Sequence, residues 1–490
     1  MESAINFDDA LFTYIISDHD CTLFQNHHPI FNKTLILHHT TGTEVLTCQD
    51  TACEITVIGL CVDTHGELSR EDIPAYLLGF AGQGIQSVYE HAARFSGKYV
   101  LCCQCADGRY LFGDATGSVE INYALSQTSF CAASVSQLVA KQFHYAVSEY
   151  AQAIRSGSDY SQALPNDLTM FDEIKVLLPN HYLDIANRQV VRVPLCPISP
   201  DLRDNVNDVV DRSIPLIENT LRAYHKYYKI VCPLTSGYDS RIVFSFLKDE
   251  IPDLTCYTFL HRGFTEETDD IKVPRLLCQA YQKQHIIIPD LKAPDAYVSD
   301  MEAIMGSYCY RGTIDLAYTY LSVFRGCALV NGDIIDQVGK SLLGNRLAPR
   351  YGTAAYFQCK LHNFSKQAKE ELERYLSDVR RKEPADRIFD LFAIENRCGR
   401  WAAQGGSIYS LASIPSLNLF NSRELICLWA SLDRKHRVQE QIHKGIFMRK
   451  DPGLLRFPFN PSDRTGYLKK NPYLFLAATY GKYVLQLFRK

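Results

Sequence analysis

Residues 229–247 have the sequence KIVCPLTSGYDSRIVFSFL, and this stretch decides the fold of the second half of the chain. Its apolar start, 229–232, predicts a buried strand, and the apolar run over 242–247 predicts a helix. Ser236 and Gly237 predict a tight turn between them. A strand, a turn and a helix N-terminus in this order direct free backbone N–H groups and the positive end of the helix dipole at one point, which favours an anion.

The polar groups of this turn suit an ATP pyrophosphate and its metal ion. Two serine hydroxyls can donate to phosphate oxygens, and Asp239 supplies a hard oxygen ligand for Mg²⁺. The predicted ATP-binding residues are Leu234, Ser236, Gly237, Tyr238, Asp239 and Ser240. The glycine-rich loop of ATPases that cleave the γ-phosphate, which ends in Lys and Ser/Thr, is absent here. An ordinary turn remains the alternative, because Ser, Gly and Asp dominate turns.

Length and composition limit the classes of protein to which the chain can belong. Its 490 residues suggest two or three domains, and 46% hydrophobic with 22% charged residues is typical of a well-cored globular protein. A net charge of −4 gives no reason to expect nucleic acid or an anionic membrane as a partner. Residues 1–4 do not start a secretion signal, and no apolar stretch reaches spanning length, so we expect a cytoplasmic location.

The cysteines indicate reduced thiols rather than a disulfide framework. Seventeen cysteines, an odd number, are scattered over the whole length. Cys102 and Cys105 form a CxxC pair inside a strand-like run, and no second CxxC exists to complete a structural metal site. We therefore interpret this pair as part of a core strand.

The first part of the chain, residues 1–195, predicts an α+β domain with packed antiparallel sheets, because short strand-like runs alternate with turn residues. Strands are predicted at residues 12–16, 34–37, 54–58 and 99–105, and helices at 75–82 and 86–95. Residues 100–103 and 109–112, joined across Ala106-Asp107-Gly108, predict a hairpin.

From about residue 205 the pattern becomes an alternation of strands and helices. Helices are predicted at 206–226, 266–283 and 365–382, and strands at 229–232, 254–259, 285–288 and 328–330. This alternation predicts a parallel sheet with right-handed crossovers, in which ligands bind at the carboxyl ends of strands. A second candidate site, Asn331 to Asp336, follows the last of these strands. The remainder is predicted to be largely helical.

With two candidate sites on a parallel sheet behind a strand-rich half, the chain resembles the asparagine synthetase family over nearly its whole length. SGYDS at 236–240 is similar to the family's SGGxDS pyrophosphate motif, one residue shorter. GDIIDQ at 332–337 is a looser match to GEGxDE, and 97–117 is similar to a strand pair and acidic turn of the amidotransferase half. LPNHYL at 178–183, PLT at 233–235 and FPFNP at 457–461 resemble the asparagine synthase-related branch, and β-lactam synthetase and lasso-peptide cyclases are also similar.

The resemblance implies an N-terminal Ntn-like antiparallel-sheet domain, 1–195, similar to class II glutamine amidotransferases. It also implies a HUP-like ATP-pyrophosphatase domain, 205–490, with a helical C-terminal part. Glutaminase members expose Cys directly after the initiator Met, where this chain has Glu2 and then Ser3. Cys21 would need cleavage after Asp20, so we expect the N-terminal domain to have lost its glutaminase activity.

The resemblance also implies roles for individual residues. Asp239 and Asp336 would bind Mg²⁺, Gly332 would lie against ATP, and Asp333 falls where the family places a Glu that helps to deprotonate the attacking amine. Arg241 is predicted to be catalytic through phosphate, or else to hold the loop by pairing with an acid. As alternatives, Asp333 and Asp336 are ordinary turn and helix-cap residues.

For two further sets of basic residues, the sequence leaves more than one role open. The family uses a C-terminal Lys in adenylation, and Lys450, Lys469 and Lys470 are equal candidates here. Arg397 and Arg400 are three residues apart on a predicted helix, so they share a face and either line an acceptor pocket or form surface ion pairs.

These observations predict an ATP-dependent ligase that adenylates a carboxylate and transfers the acyl group to an amine or ammonia. ATP and Mg²⁺ are its expected cofactors. The expected partners are a small-molecule, sugar or peptide carboxylate and an amine donor, with a homodimer allowed and neither nucleic acid nor membrane expected. The alternatives are a catalytically inactive nucleotide-binding or partner-binding protein, and a nucleotide- or tRNA-modifying ATP-pyrophosphatase.

Overall fold

The structure, a computed structural model, describes most of the chain. The described residues are 6–21, 23–126, 129–156, 164–195, 200–260, 263–306, 310–340, 348–460 and 471–487.

Two six-stranded antiparallel sheets form the first half of the described chain. Their strands are β1 Tyr14–Ser17, β2 Asn26–Ile30, β3 Leu35–His39, β4 Val45–Gln49, β5 Glu54–Asp63, β6 Phe95–Cys105, β7 Gly108–Gly113, β8 Asn122–Leu125, β9 Phe130–Ala133, β10 Lys175–Val176, β11 His181–Asp184 and β12 Gln189–Arg192. The strand orders are β10-β8-β9-β1-β3-β2 and β12-β11-β7-β6-β5-β4. The predicted antiparallel α+β class of this half is confirmed.

In the part of this half that the structure describes, four α-helices accompany the sheets: α1 Ile73–Ala81, α2 Ile85–His91, α3 Ser136–Phe143 and α4 Glu149–Ser156. The predicted hairpin is present, with Cys105 opposite Gly108 and Cys102 opposite Leu111. The prediction of a helix as far as residue 95 was wrong, because Phe95 begins β6 and pairs with Asp63. Cys102 and Cys105 are buried free thiols, in agreement with the core-strand interpretation.

A five-stranded parallel sheet forms the centre of the second half, with the order β15-β14-β13-β16-β17. Its strands are β13 Lys229–Pro233, β14 Thr255–Leu260, β15 Gln284–Pro289, β16 Cys327–Asn331 and β17 Ser416–Asn418. The first four were predicted. β17 was not predicted, because three residues are too few for a periodic pattern.

Helices make up most of the rest of this half. They are α5 Val206–Tyr227, α6 Tyr238–Glu250, α7 Asp269–Ala280, α8 Asp295–Met305, α9 Arg311–Phe324, α10 Ala348–Tyr351, α11 Ala354–Leu361, α12 Lys366–Lys382, α13 Ile388–Phe392, α14 Ala403–Leu411, α15 Arg423–Ser431, α16 Arg434–Val438, α17 Gln441–Lys450 and α18 Pro472–Leu487. Two segments, Ile335–Gly339 and Ala393–Ala402, are π-helical and pack against each other. None of the described helices combines the length and apolarity that a bilayer crossing requires.

The parallel sheet brings the two candidate sites together. β13 and β16 are direct neighbours, with Lys229 opposite Cys327 and Val231 opposite Leu329. Their carboxyl ends therefore lie side by side, and each leads into one of the two predicted loops.

The hydrophobic core is continuous between the halves. One cluster of buried side chains includes Tyr14 and Leu111 from the first half together with Phe244 and Trp429 from the second. Buried polar contacts also cross the boundary, and Asn421 donates to the carbonyl of Gly97 at 2.7 Å. The halves consequently pack as one body of protein, although their sheets are separate.

Candidate functional site

The loop after β13 has the predicted strand-turn-helix form. Gly237 is the N-cap of α6, and Tyr238 is its first residue. The N–H groups in the first turn of a helix have no partner within the helix and lie at the positive end of its dipole. The start of α6 therefore favours an anion, as the sequence predicted, and Asp239 lies in this first turn.

The serines of this loop are already engaged in hydrogen bonds. Ser236 donates its N–H and its hydroxyl to one carboxylate oxygen of Asp270, at 2.9 and 2.6 Å. Ser240 Oγ accepts from the N–H of Thr235 at 3.1 Å and lies 2.9 Å from the Thr235 hydroxyl. Sequence analysis missed Asp270, because no local pattern links the first turn of α7 to a loop thirty-four residues earlier.

Leu234 belongs to the sheet rather than to the exposed loop. Its side chain is fully buried, its N–H donates to the carbonyl of Tyr257 at 2.9 Å, and its carbonyl accepts from the Thr258 hydroxyl at 2.7 Å. Both of its backbone groups therefore already have partners in β14, and the role of Leu234 in ATP binding stays a prediction.

Arg241 is buried beneath the loop rather than exposed to solvent. Its side chain is fully buried, and its guanidinium donates to four backbone carbonyls, those of Ser236, Leu454, Phe457 and Pro458, at 2.7–3.3 Å. Burial lowers the pKa of Arg241 to about 10. Arg241 therefore holds the loop, as one of the two alternatives had it, but it does so by tying the loop to the carbonyls of residues 454–458 rather than by pairing with an acid. Its catalytic role stays a prediction.

Tyr238 occupies the position where the resemblance suggested a second glycine. Its ring stacks on the ring of Phe459, with centroids 3.8 Å apart and planes at 8°. The guanidinium of Arg241 lies 3.6 Å from the centroid of the Phe459 ring. Asn460 also donates its N–H to the carbonyl of Ser236 at 3.3 Å. The segment that ends at Asn460 thus packs directly on the loop.

The loop after β16 touches the first loop through Gly332. A Cβ atom at this position would lie 2.8 Å from Val243 Cγ2, 2.9 Å from Phe420 Cε2 and 3.3 Å from the carbonyl oxygen of Asp239. Such distances leave no room for a side chain, so Gly332 permits the close approach of the two strand ends.

Asp333 and Asp336 follow Gly332 and bring two carboxylates toward Asp239. The pKa of Asp333 is raised, first by burial and then by the negative charges of Asp239 and Asp336, while Arg397 opposes the rise. The Asp333 side chain is nevertheless open to solvent. We call Asp239, Asp333, Asp336, Lys340 and His443 the acidic site.

Lys340 and His443 complete the acidic site, and sequence analysis missed both. Lys340 forms an ion pair with Asp336, and its pKa is raised by Asp336 and Asp239 against the opposing effect of burial. His443 is fully buried, and its Nε2 lies 3.3 Å from Asp239 Oδ1, while its Nδ1 has no partner among the described residues. The acidic site therefore includes one cation and one imidazole that contact the predicted Mg²⁺ ligands.

The acidic site fits Mg²⁺ only together with further ligands. No group of three His, Cys, Asp or Glu side chains in the described ranges forms a ready metal site. Magnesium in proteins is commonly held by one or two carboxylates and by substrate phosphates rather than by an all-protein cage. Asp239 and Asp336 meet that pattern, and the ammonium of Lys340 contacts Asp336 where a cation would bind.

Of the C-terminal lysine candidates, the structure describes Lys450, which pairs with an acid outside the acidic site. Lys450 pairs with Glu218 at 2.7 Å and lies 5.0 Å from the ring centroid of Phe246. Lys469 and Lys470 lie outside the described residues. Among the lysines that the structure describes, Lys340 is the one that forms an ion pair with a carboxylate of the acidic site.

Arg397 and Arg400 face different surroundings, contrary to prediction. Arg400 is buried, donates to Glu120 at 3.0 Å and to the carbonyl of Leu168 at 2.6 Å, and so connects the two halves. Arg397 is exposed, and its guanidinium lies 4.3 Å from the ring centroid of Trp401. The segment is π-helical, and because a π-turn contains more residues than an α-turn, residues three apart no longer share a face.

The acidic turn of the first half, at Asp114, has a structural role. The Asp114 carboxylate accepts from the N–H groups of Thr116 and Ser118 at 3.0–3.1 Å, and from Asn421 Nδ2 at 2.8 Å. Asn421 lies three residues after β17, so this turn fastens the first half to the parallel sheet.

Comparisons with known proteins leave the family open. No protein-family model matches the chain, and no curated protein sequence matches it.

Proposed function

We propose that the protein is an ATP-dependent ligase that forms amides by way of an acyl-adenylate. An oxygen of the acid substrate would bond to the α-phosphorus of ATP as pyrophosphate leaves, and an amine or ammonia would then attack the acyl carbon as AMP leaves. The observation that carries the proposal is the meeting of the α6 N-terminus with three carboxylates from two neighbouring strand ends.

The loop after β13 is the proposed pyrophosphate site. The first-turn N–H groups of α6, with Gly237 and Tyr238, would face the leaving pyrophosphate. Ser236 and Ser240 would join them only by exchanging their present partners, Asp270 and Thr235, for phosphate oxygens. This exchange places an energetic cost on binding that the helix dipole and Lys340 would offset.

The carboxylates would divide the remaining tasks. Asp239 and Asp336 would hold Mg²⁺, which when bound neutralises charge on the phosphates. Lys340 would then leave Asp336 for the negative charge that develops on the phosphates. Asp333 has a raised pKa, so its carboxylate is a stronger base than an ordinary Asp and suits removal of a proton from the amine.

Exchange of pyrophosphate into ATP, measured with a panel of carboxylic acids, tests this function. Asp239→Ala should abolish exchange, because it removes a metal ligand beside the phosphate loop. Asp249→Ala is the matched control, since Asp249 is an exposed acid near the opposite end of α6. Exchange that survives Asp239→Ala, or that falls equally in both variants, would contradict the proposal.

A nucleotide-binding protein without catalysis is the second candidate, and Asp270 is the observation that favours it. Its carboxylate takes two of the donors that a pyrophosphate would need, and Tyr238 replaces the expected glycine. If this candidate is correct, calorimetry will detect ATP binding while no acid in the panel supports exchange. Tighter ATP binding by Asp270→Asn would show that the carboxylate competes with phosphate.

The proposed ligase takes its amine from outside this chain, without hydrolysing glutamine. Incubation with glutamine should release no glutamate above a protein-free control. Release of glutamate that depends on the protein would overturn this part of the proposal, whatever the outcome of the exchange assay.

A further inference from the structure

An exposed arginine and an exposed tryptophan form a pair beside the acidic site. Arg397 and Trp401 lie on the π-helix Ala393–Ala402, with the guanidinium carbon 4.3 Å from the ring centroid. Trp401 is 51% exposed, which is unusual for a side chain of this size. The only other tryptophan, Trp429, is fully buried and donates its indole N–H to Ser213.

The π-helix that carries Arg397 packs against the π-helix Ile335–Gly339, which carries Asp336 of the acidic site. Arg397 is the cation that opposes the rise in the pKa of Asp333. The nearby acids do not neutralise it, because no ion pair of Arg397 occurs among the residues that the structure describes. Its contact is the Trp401 ring, which holds the guanidinium in place and leaves its N–H groups available.

An acid substrate needs such a group. The acidic site contains three carboxylates and one lysine, and that lysine is already paired with Asp336. A free carboxylate approaching these residues would be repelled unless a cation accepted it. A planar guanidinium matches a carboxylate with two parallel hydrogen bonds, and an exposed indole offers a flat apolar surface to the adjoining carbon skeleton.

We propose that Arg397 and Trp401 form the binding site for the carboxylate to be adenylated, with Arg397 donating to the carboxylate and Trp401 contacting a ring next to it. The reaction in which this site takes part rests on the proposed ligase function, whereas the binding event does not. The substrate class is therefore a ring-bearing carboxylic acid, such as an aromatic or sugar acid.

Tryptophan fluorescence tests the site without ATP, because Trp401 is the exposed member of the two tryptophans. Phenylacetate and glucuronate should change the emission in a saturable way, while their neutral counterparts phenylacetamide and glucuronamide should not. Succinate, which has no ring, should bind at least several-fold more weakly than phenylacetate. In Trp401→Phe the ligand-dependent change should disappear.

The arginine variants test the carboxylate contact. Arg397→Gln should weaken phenylacetate binding at least tenfold. Arg397→Lys should weaken it less, because lysine keeps the positive charge but cannot donate two parallel hydrogen bonds to a carboxylate. Arg212→Gln is the control, since Arg212 is an exposed helical arginine that pairs with Asp208 on its own helix. The site is exposed, so the melting temperatures of all three variants should match that of the wild type.

The outcomes separate this inference from the proposed function. Carboxylate-specific binding that Arg397→Gln weakens supports the site even if no acid supports pyrophosphate exchange. Equal binding of acids and amides overturns the site. So does an active acid whose KM is unchanged in Arg397→Gln, and in that case the ligase function stands.

Discussion

The interface between the two halves and the acidic site both contain charged side chains in confined surroundings, but they balance charge in different ways. At the interface, buried Arg400 pairs with buried Glu120, and buried Arg192 pairs with buried Glu395. In the acidic site, three carboxylates share one lysine and raise the pKa of Asp333. Charges that are fully paired hold the halves together, whereas a deficit of positive charge leaves a place for a ligand cation.

The largest expected effect comes from breaking a pair at the interface. Arg400→Gln leaves the Glu120 carboxylate buried without its cation, so we expect the free energy of unfolding to fall by about 3–5 kcal/mol. Arg374→Gln is the control, because Arg374 also joins the halves, through Asp167, but is 59% exposed. Its cost should stay below about 1 kcal/mol in urea unfolding. Equal losses in the free energy of unfolding for Arg400→Gln and Arg374→Gln would show that buried and exposed ion pairs contribute alike.

Lys98 is an exception at the interface, because none of the acids that the structure describes forms an ion pair with it. Its ammonium donates to the carbonyl of Gly406 at 3.2 Å and to Ser410 Oγ at 3.0 Å, and burial lowers its pKa to about 8. The unfolded chain keeps this proton up to its ordinary pKa of 10.5, so the free energy of unfolding should rise with pH between about 8 and 10.5, by about 3 kcal/mol. Below pH 8 the destabilisation is present in full.

Lys98→Met should remove this rise and stabilise the protein at pH 7 by about 1–3 kcal/mol, since a buried charge is replaced by an apolar chain. The measurement is urea unfolding at several pH values, and the free energy of unfolding of the wild type is subtracted from that of the variant at each pH. Lys141→Met, at an exposed lysine, should leave both the slope and the stability unchanged. A destabilised Lys98→Met with an unchanged slope would show that Lys98 is held as a favourable cation.

Close packing between the two loops holds the acidic site together. Substitutions of two glycines test this packing. Gly332→Ala places a methyl group 2.8 Å from Val243 Cγ2, and we expect a cost of about 1–3 kcal/mol from overpacking. Gly237→Ala is the matched control, because its nearest neighbour would be Thr235 Oγ1 at 3.4 Å and its φ is −76°. Its cost should stay within about 0.5 kcal/mol. A larger stability cost for Gly237→Ala than for Gly332→Ala would mean that the loop after β13 is packed more tightly than the contact between the two loops.

The smallest expected change in stability comes from the acidic site itself. Asp336→Asn removes one of three neighbouring carboxylates and also its ion pair with Lys340, and these effects oppose each other. The net change in the free energy of unfolding should be within about 0.5 kcal/mol, because the pair is partly exposed. Affinity for MgATP, measured by calorimetry, should nevertheless fall. A loss of stability comparable to that of Arg400→Gln would place Asp336 among the structural acids.

Much of the fold was predictable, because its signals are local. The apolar runs around 229–232 and 328–330 and the turn at Ser236 lie within short stretches of sequence, and parallel pairing places their carboxyl ends at one edge. The contacts of Asp270, Lys340 and His443 were not predictable, since each depends on how distant helices pack. The separation of Arg397 from Arg400 was missed because it depends on a π-helix, which the apolar pattern does not encode.

By itself the sequence determined the alternation of strands and helices, the turn at the start of α6 and the types of side chain after two strands. Periodicity and turn chemistry act over a few residues, so they can be recognised without a structure. Only the tertiary structure decided which charges are neutralised. Arg241 donates to backbone carbonyls and Arg400 pairs with Glu120, whereas Arg397 has no ion pair among the described residues and lies on a π-helix that packs against the one carrying Asp336. The interaction of charges depends on distance and burial, and these are set by packing between residues far apart in the chain.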